Sequence, residues 1–123
     1  MYPITTSITL SRPIKVLGLG RDAEDIVVYR DDPRVGKGAR NSRIFTLESP
    51  EALVASLVMS NGFLSGQVPG SGCYIDKLGG TVSNCVVRNC SNDNAYQAPG
   101  AVYVANLNGL VTHTVVEDSS ISD

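Results

Sequence analysis

The chain has 123 residues, of which 42% are hydrophobic and 18% charged, with a formal net charge of −2. This length allows one domain with a real core, and the low charge excludes a disordered polyelectrolyte. Twelve glycines and a 6% aromatic content favour an all-β protein with many turns.

The chain starts in extended form. "MYPITTSITL" alternates like a strand and has no charged start followed by an apolar block, so no signal peptide is read in it. "SITL" (Ser7–Leu10), "PIKVLGLG" and "DIVVYR" supply the strands of an irregular first coil over residues 1–43. "IFTL" (Ile44–Leu47) resembles "SITL", but Leu47 follows Leu10 by 37 residues. That interval exceeds the later repeat, so the first coil carries an insertion, most simply "DDPRVGKGARNSR".

Residues 44–123 read as regular rungs. "GTVSNCVVRNCS" from Gly80 aligns with "GLVTHTVVEDSS" from Gly109 at an offset of 29. The same offset carries Tyr74-Ile75 onto Tyr103-Val104. At an offset of 28, Val54 falls on Val82, Leu57 on Cys85, Met59 on Val87 and Asn61 on Asn89. Phe45 and Leu47 fall on Cys73 and Ile75. The unit is three short strands per turn, each alternating inward and outward. Ser56, Asn84 and His113 occupy a corner between two faces, where Asn tolerates a left-handed backbone. "GFLSGQVPGSG" and "SNDNAYQAPGA" carry the Gly, Pro and Asn of loops between rungs. One rung cannot bury its own apolar face, so such coils stack on neighbours. The predicted fold is an all-β parallel β-helix, a solenoid of about four rungs with a repeat of 28–29 residues.

Leu57, Cys85 and Thr114 are expected to form one inward column, and Met59, Val87 and Val116 its neighbour. Cys73, Cys85 and Cys90 match no zinc spacing and share no column, so three buried free thiols are predicted. The rungs at both ends expose strand edges, and either end-to-end self-association or only marginal stability of the 123-residue chain is expected.

Charge and motifs narrow the function less than the repeat narrows the fold. Residues 1–45 hold eight basic and five acidic side chains, a balance of +3, and the remainder two and seven, a balance of −5. Arg34, Lys37, Arg40 and Arg43 cluster in "RVGKGARNSR" without interleaved aromatics, which favours a solvated loop over a nucleic-acid groove. No apolar run approaches a membrane span, so neither nucleic acid nor membrane insertion is expected. Gly18-x-Gly20-x-x-Ala23 mimics a dinucleotide fingerprint. A strand resumes from Asp25 and leaves no room for the crossover helix, so the motif reads as a turn. "GKG" at 36–38 lacks phosphate-loop spacing. His113 is the sole histidine and has no triad partners at a readable spacing. No metal site and no cofactor are expected.

The stretches "SITLSRPIKVLGLGRDAEDIVVYRDD", "RIFTLESPEALVASLVMSNGFLSG" and "GGTVSNCVVRNC" resemble the right-handed parallel β-helix repeats of the pectin-lyase-like superfamily, and more narrowly the large secreted or cell-surface β-helix proteins of bacteria. The resemblance covers nearly the whole chain. It implies a right-handed coil, a secreted or surface location and polysaccharide as a partner, with more rungs than this chain holds. That superfamily includes lyases, hydrolases and adhesins, and fold does not choose among them. Its lyases cluster aspartates for calcium and use a basic residue to abstract a proton. Here Asp76, Asp93 and Asp118 are scattered, and Asp31-Asp32 lack the surroundings the hydrolases use. Arg88, outward beside Asp118 of the next rung, is the remaining anionic-sugar contact, and a solvent-facing ion pair is its simpler role. Tyr74 and Tyr103, stacked outward one rung apart, are the candidate carbohydrate platform, and covering a loop is the commoner role of such a pair. The expected function is a non-catalytic structural or adhesive β-helix segment. The alternative is part of a polysaccharide lyase or glycoside hydrolase with its active site outside these residues.

Overall fold

The structure is a computed structural model, and it describes residues 2–31, 41–64, 70–92, 100–117 and 120–121. Among the described residues, seventeen short strands wind into a parallel β-solenoid. β1 (Tyr2–Ile4) precedes the first coil, which holds β2 (Ile8–Leu10), β3 (Lys15–Leu17), β4 (Val27–Arg30) and β5 (Asn41–Ser42). The second holds β6 (Phe45–Leu47), β7 (Leu53–Ala55), β8 (Val58–Ser60) and β9 (Phe63–Leu64). The third holds β10 (Cys73–Ile75), β11 (Gly80–Ser83), β12 (Val86–Arg88) and β13 (Ser91–Asn92). The last holds β14 (Val102–Val104), β15 (Gly109–Thr112), β16 (Val115–Glu117) and β17 (Ser120–Ile121).

The faces follow directly. Sheet 1 is β2-β6-β10-β14, sheet 2 is β3-β7-β11-β15, sheet 3 is β1-β4-β8-β12-β16 and sheet 4 is β5-β9-β13-β17. All pairings are parallel except β5 with β9. From β2 the chain returns to sheet 1 at β6, β10 and β14, about three full turns with a further coil begun.

The repeat offsets are the strand registers. Val82 pairs with Val54 and Val111, Val87 with Met59 and Val116, and Cys73 with Phe45 and Val102. The first coil continues them, with Leu10 on Leu47, Val16 on Val54 and Val28 on Met59. Alternation puts Phe45, Leu47, Val54, Leu57, Met59, Val82 and Val87 fully inside, while Thr46, Tyr74 and Arg88 stand outward on sheets 1 and 3. A one-residue slip would exchange these sets.

Three expectations change in detail. Where the repeat predicts three strands per turn, there are four: Phe63–Leu64 and Ser91–Asn92 form short strands of sheet 4 at the start of segments predicted as loops. Thr114 is only half-buried; its Oγ1 accepts from the Cys85 N–H at 3.4 Å. Val116 keeps the inward register but is 50% exposed, because no strand lies beneath β16 among the described residues.

The corners carry the strain the sequence implies. Ser56, Asn84 and His113 have φ of 64°, 51° and 48°. A second column, Asn61 and Asn89, has φ of 72° and 54°. Left-handed backbone is costly for most side chains and least so for Asn. Asn84 Nδ2 also donates to Ser56 Oγ at 3.2 Å, linking neighbouring corners. Gly80 and Gly109 pair across coils where sheet 2 begins. Gly80 has φ of 146°, and a Cβ there would lie 2.7 Å from the Leu47 side chain.

Two devices close the first coil. After β3, Asp22 caps a short 3-10 turn, Ala23–Asp25, and the turn packs against β8. Val58 belongs to the outward column Val27-Val58-Val86-Val115 yet is 0% exposed, because that turn covers it. The Gly18-x-Gly20 stretch is the turn leading there, as its motif context implied. The second device is Arg30. It occupies a buried position and donates to the carbonyls of Arg43 at 2.9 Å and Thr5 at 3.1 Å, and to Ser7 Oγ at 3.3 Å. A guanidinium inside a protein needs such partners, and these join the start of the first coil to the start of the second. Residues 32–40, which hold most of the proposed insertion with Arg34, Lys37 and Arg40, lie outside the described residues.

Cys73, Cys85 and Cys90 are buried and free, as predicted. Burial pushes the thiols of Cys73 and Cys85 above the ordinary cysteine range. The Cys85 thiol donates to the carbonyl of Ser83 at 3.3 Å, which suits a neutral side chain.

Candidate functional site

Sheet 1 presents one outward column, Thr9, Thr46, Tyr74 and Tyr103. Parallel in-register pairing sets successive residues about 4.8 Å apart, close to the thickness of stacked rings. Tyr74 and Tyr103 therefore stack, with centroids 5.6 Å apart and planes within 4°. Arg43 extends the ladder from the other side, its guanidinium carbon 4.7 Å from the Tyr74 ring centroid. Its Nε donates to the Gly70 carbonyl at 2.8 Å and one terminal nitrogen to Thr46 Oγ1 at 3.3 Å. Burial lowers the Arg43 pKa from the ordinary arginine value, and the adjacent Cys73 and Tyr74 act in the opposite direction. The site is thus a fixed pile of guanidinium, phenol and phenol.

This geometry refines the tyrosine platform. Both faces of Tyr74 are covered, one by Arg43 and one by Tyr103. Tyr103 is 37% exposed, and among the described residues no ring or guanidinium stacks on its far face. A ligand lying on sheet 1 meets the edge of Tyr74 and the open face of Tyr103. The sequence predicted the two tyrosines; it placed Arg43 only in a basic cluster. The clue was its position three residues before Thr46, which lies one rung above Tyr74.

Arg88 lies on sheet 3 and does not join the tyrosines in one sheet. It is outward, as expected, but its cross-strand neighbour is Glu117. Asp118, the neighbour expected from the sequence, lies outside the described residues, as does Asp93. Nε donates to Glu117 Oε1 at 2.8 Å, and a terminal nitrogen donates to Glu24 Oε2 at 2.9 Å. That nitrogen also forms ion pairs with Glu24 Oε1 and Glu117 Oε1. The hydrogen bonds it donates to Glu117 and then Glu24 raise the Arg88 pKa above the ordinary arginine value. A guanidinium so held is a poor proton acceptor. His113 is the corner residue expected, its Nδ1 2.9 Å from Thr112 Oγ1. Among the described residues no group of three or more His, Cys, Asp or Glu is placed to hold a metal ion.

The fold and these surfaces define the class: a parallel β-solenoid with an aromatic ladder on one face and an ion cluster on another. Compared with known protein families, with curated proteins and with solved structures, the chain matches none of them.

Proposed function

We propose that this chain is a structural or adhesive β-helix segment of a secreted or cell-surface bacterial protein, of the pectin-lyase-like kind, and that it contacts polysaccharide through sheet 1. The observation that carries this reading is the Tyr74–Tyr103 stack, on whose far side no ring or guanidinium lies among the described residues. An aromatic face recognises the apolar C–H side of a sugar ring, and phenol hydroxyls at its border offer hydrogen bonds. The location rests on the resemblance of the repeat strands to that superfamily.

A catalytic role on sheet 3 has less support. Arg88, the basic residue such a role would use, is engaged by Glu24 and Glu117. The test is binding to an array of plant and bacterial polysaccharides. The proposal expects retention of at least one, and a loss of roughly tenfold or more, about 1.4 kcal/mol, in Tyr103→Ala. Undiminished binding by Tyr103→Ala, or no binding by the unaltered chain, overturns it.

A further inference from the structure

Sheet 2 is the apolar side of the solenoid. The exposed leucines and isoleucines among the described residues are Ile14, Leu17, Leu19, Leu78, Leu107 and Leu110, and all lie on a strand of sheet 2 or within two residues of one. Leu78 belongs to the third coil, which has a coil on either side, and is still 53% exposed. Apolar surface concentrated in this way marks a contact surface. We propose that sheet 2 binds a second copy of this chain, side by side, about a two-fold axis parallel to the coil axis.

The outward columns of sheet 2 fit this symmetry. One is Lys15-Leu53-Thr81-Leu110 and the other Leu17-Ala55-Ser83-Thr112. In the second, third and fourth coils the first column is the bulkier. The two-fold sets each coil against its own counterpart, with the facing strands antiparallel. The bulky column of one copy then lies over the small column of the other: Leu53 over Ala55, Thr81 over Ser83 and Leu110 over Thr112. Large positions over small ones let two sheets interdigitate at about 10 Å. The pairing is made coil by coil, so it does not depend on how many coils the solenoid has.

Charge selects the same arrangement. The turns that enter sheet 2 carry Arg12, Glu48, Glu51, Asp76 and Lys77, whereas the corners that leave it at Ser56, Asn84 and His113 are formally uncharged. Antiparallel strands bring the charged turns of one copy to the uncharged corners of the other. Opposed coil axes would instead lay bulky column on bulky column and charged turn on charged turn, with carboxylates in excess. The same carboxylates make this surface a poor match for an anionic lipid layer. A contact about 20 Å wide and four coils deep at about 4.8 Å each buries on the order of 800 Å² over both copies, the range of weak, reversible association. The Tyr74–Tyr103 column lies on sheet 1 and stays outside the contact.

Sedimentation tests the dimer. The weight-average mass of the unaltered chain should rise with concentration from 13.0 kDa towards twice that value. Thr81 and Ser83 are outward and half-buried in the third coil. Thr81→Lys, which sets an ammonium in the middle of the contact, should hold the mass at 13.0 kDa with an unchanged circular dichroism spectrum. A mass of the unaltered chain fixed at 13.0 kDa up to about 1 mM overturns the proposal, and so does a folded Thr81→Lys chain that associates as the parent does. Cross-linking tests the symmetry without that variant, because the native cysteines are buried. Thr81→Cys and Ser83→Cys chains, mixed and treated with a short bis-methanethiosulfonate, should give more covalent dimer than either chain alone. No excess from the mixture overturns the two-fold.

Discussion

Arg88 holds Glu24, a residue 64 positions earlier in the chain, and so fastens the turn at Ala23–Asp25 across the outer surface of sheet 3. The turn hides Val58, whose column neighbours Val27 and Val86 are only half-buried. Arg88→Met is expected to loosen the turn while leaving the coils intact. Hydrogen exchange should quicken at Glu24–Ile26, with little change at Val87 or Val82. Equal protection of the turn in the variant would show that its packing on β8 suffices without the ion pair.

Val87 and Arg88 are adjacent, one fully buried and the other outward. Val87→Ala should cost about 1–3 kcal/mol, from lost burial and a cavity between Met59 and Val116. Val87→Asp should prevent folding, because a carboxylate there has no partner. Urea denaturation with circular dichroism measures both. A Val87→Asp chain as stable as the parent would place this side chain outside.

Asn84 combines a left-handed backbone with the bond to Ser56. Asn84→Val forces a β-branched side chain into that conformation and should cost about 1–3 kcal/mol. Asn84→Gly, which relieves the backbone and loses only the side-chain bond, should cost clearly less. Thermal melts compare the two, and the reverse order would remove the corner from its assigned conformation.

Alkaline pH should destabilise the fold through Cys73. Its thiol is pushed above the ordinary range by burial, so the folded state keeps its proton while the unfolded thiol ionises near pH ~8.5. The unfolded state then binds fewer protons, and stability falls as pH rises. This contribution is intact below pH ~8.5 and declines above it by about 1.4 kcal/mol per pH unit for that thiol. Cys73→Ala should flatten the decline; an unchanged slope would assign it to other groups. A thiol reagent should find no reactive group in the folded chain and all three after denaturation.

The coils were legible where strands are three or more residues long and alternate. Phe45-Thr46-Leu47 over Cys73-Tyr74-Ile75 shows the inward pattern and the column at once. Sheet 4 was not, because two-residue strands such as Phe63–Leu64 have no period to read and lie next to Gly and Pro. Arg30 and Arg43 escaped for another reason. Their partners are carbonyls and a ring brought near only by coiling, and an arginine otherwise reads as exposed. The Tyr74–Tyr103 pair was visible as an offset of 29, whereas the guanidinium of Arg43 over the other face of Tyr74 was not, because coiling alone brings it there.

Stacked, in-register coils create every surface described above, and proton–proton Overhauser contacts test them most directly. Val87 methyl protons should contact both Met59 and Val116, and the Tyr74 ring should contact that of Tyr103. Those pairs lie 28 and 29 residues apart, so local structure cannot produce them. Val87 contacts with only one of its two partners, or separate Tyr74 and Tyr103 rings, would contradict the solenoid register and the ladder built on it.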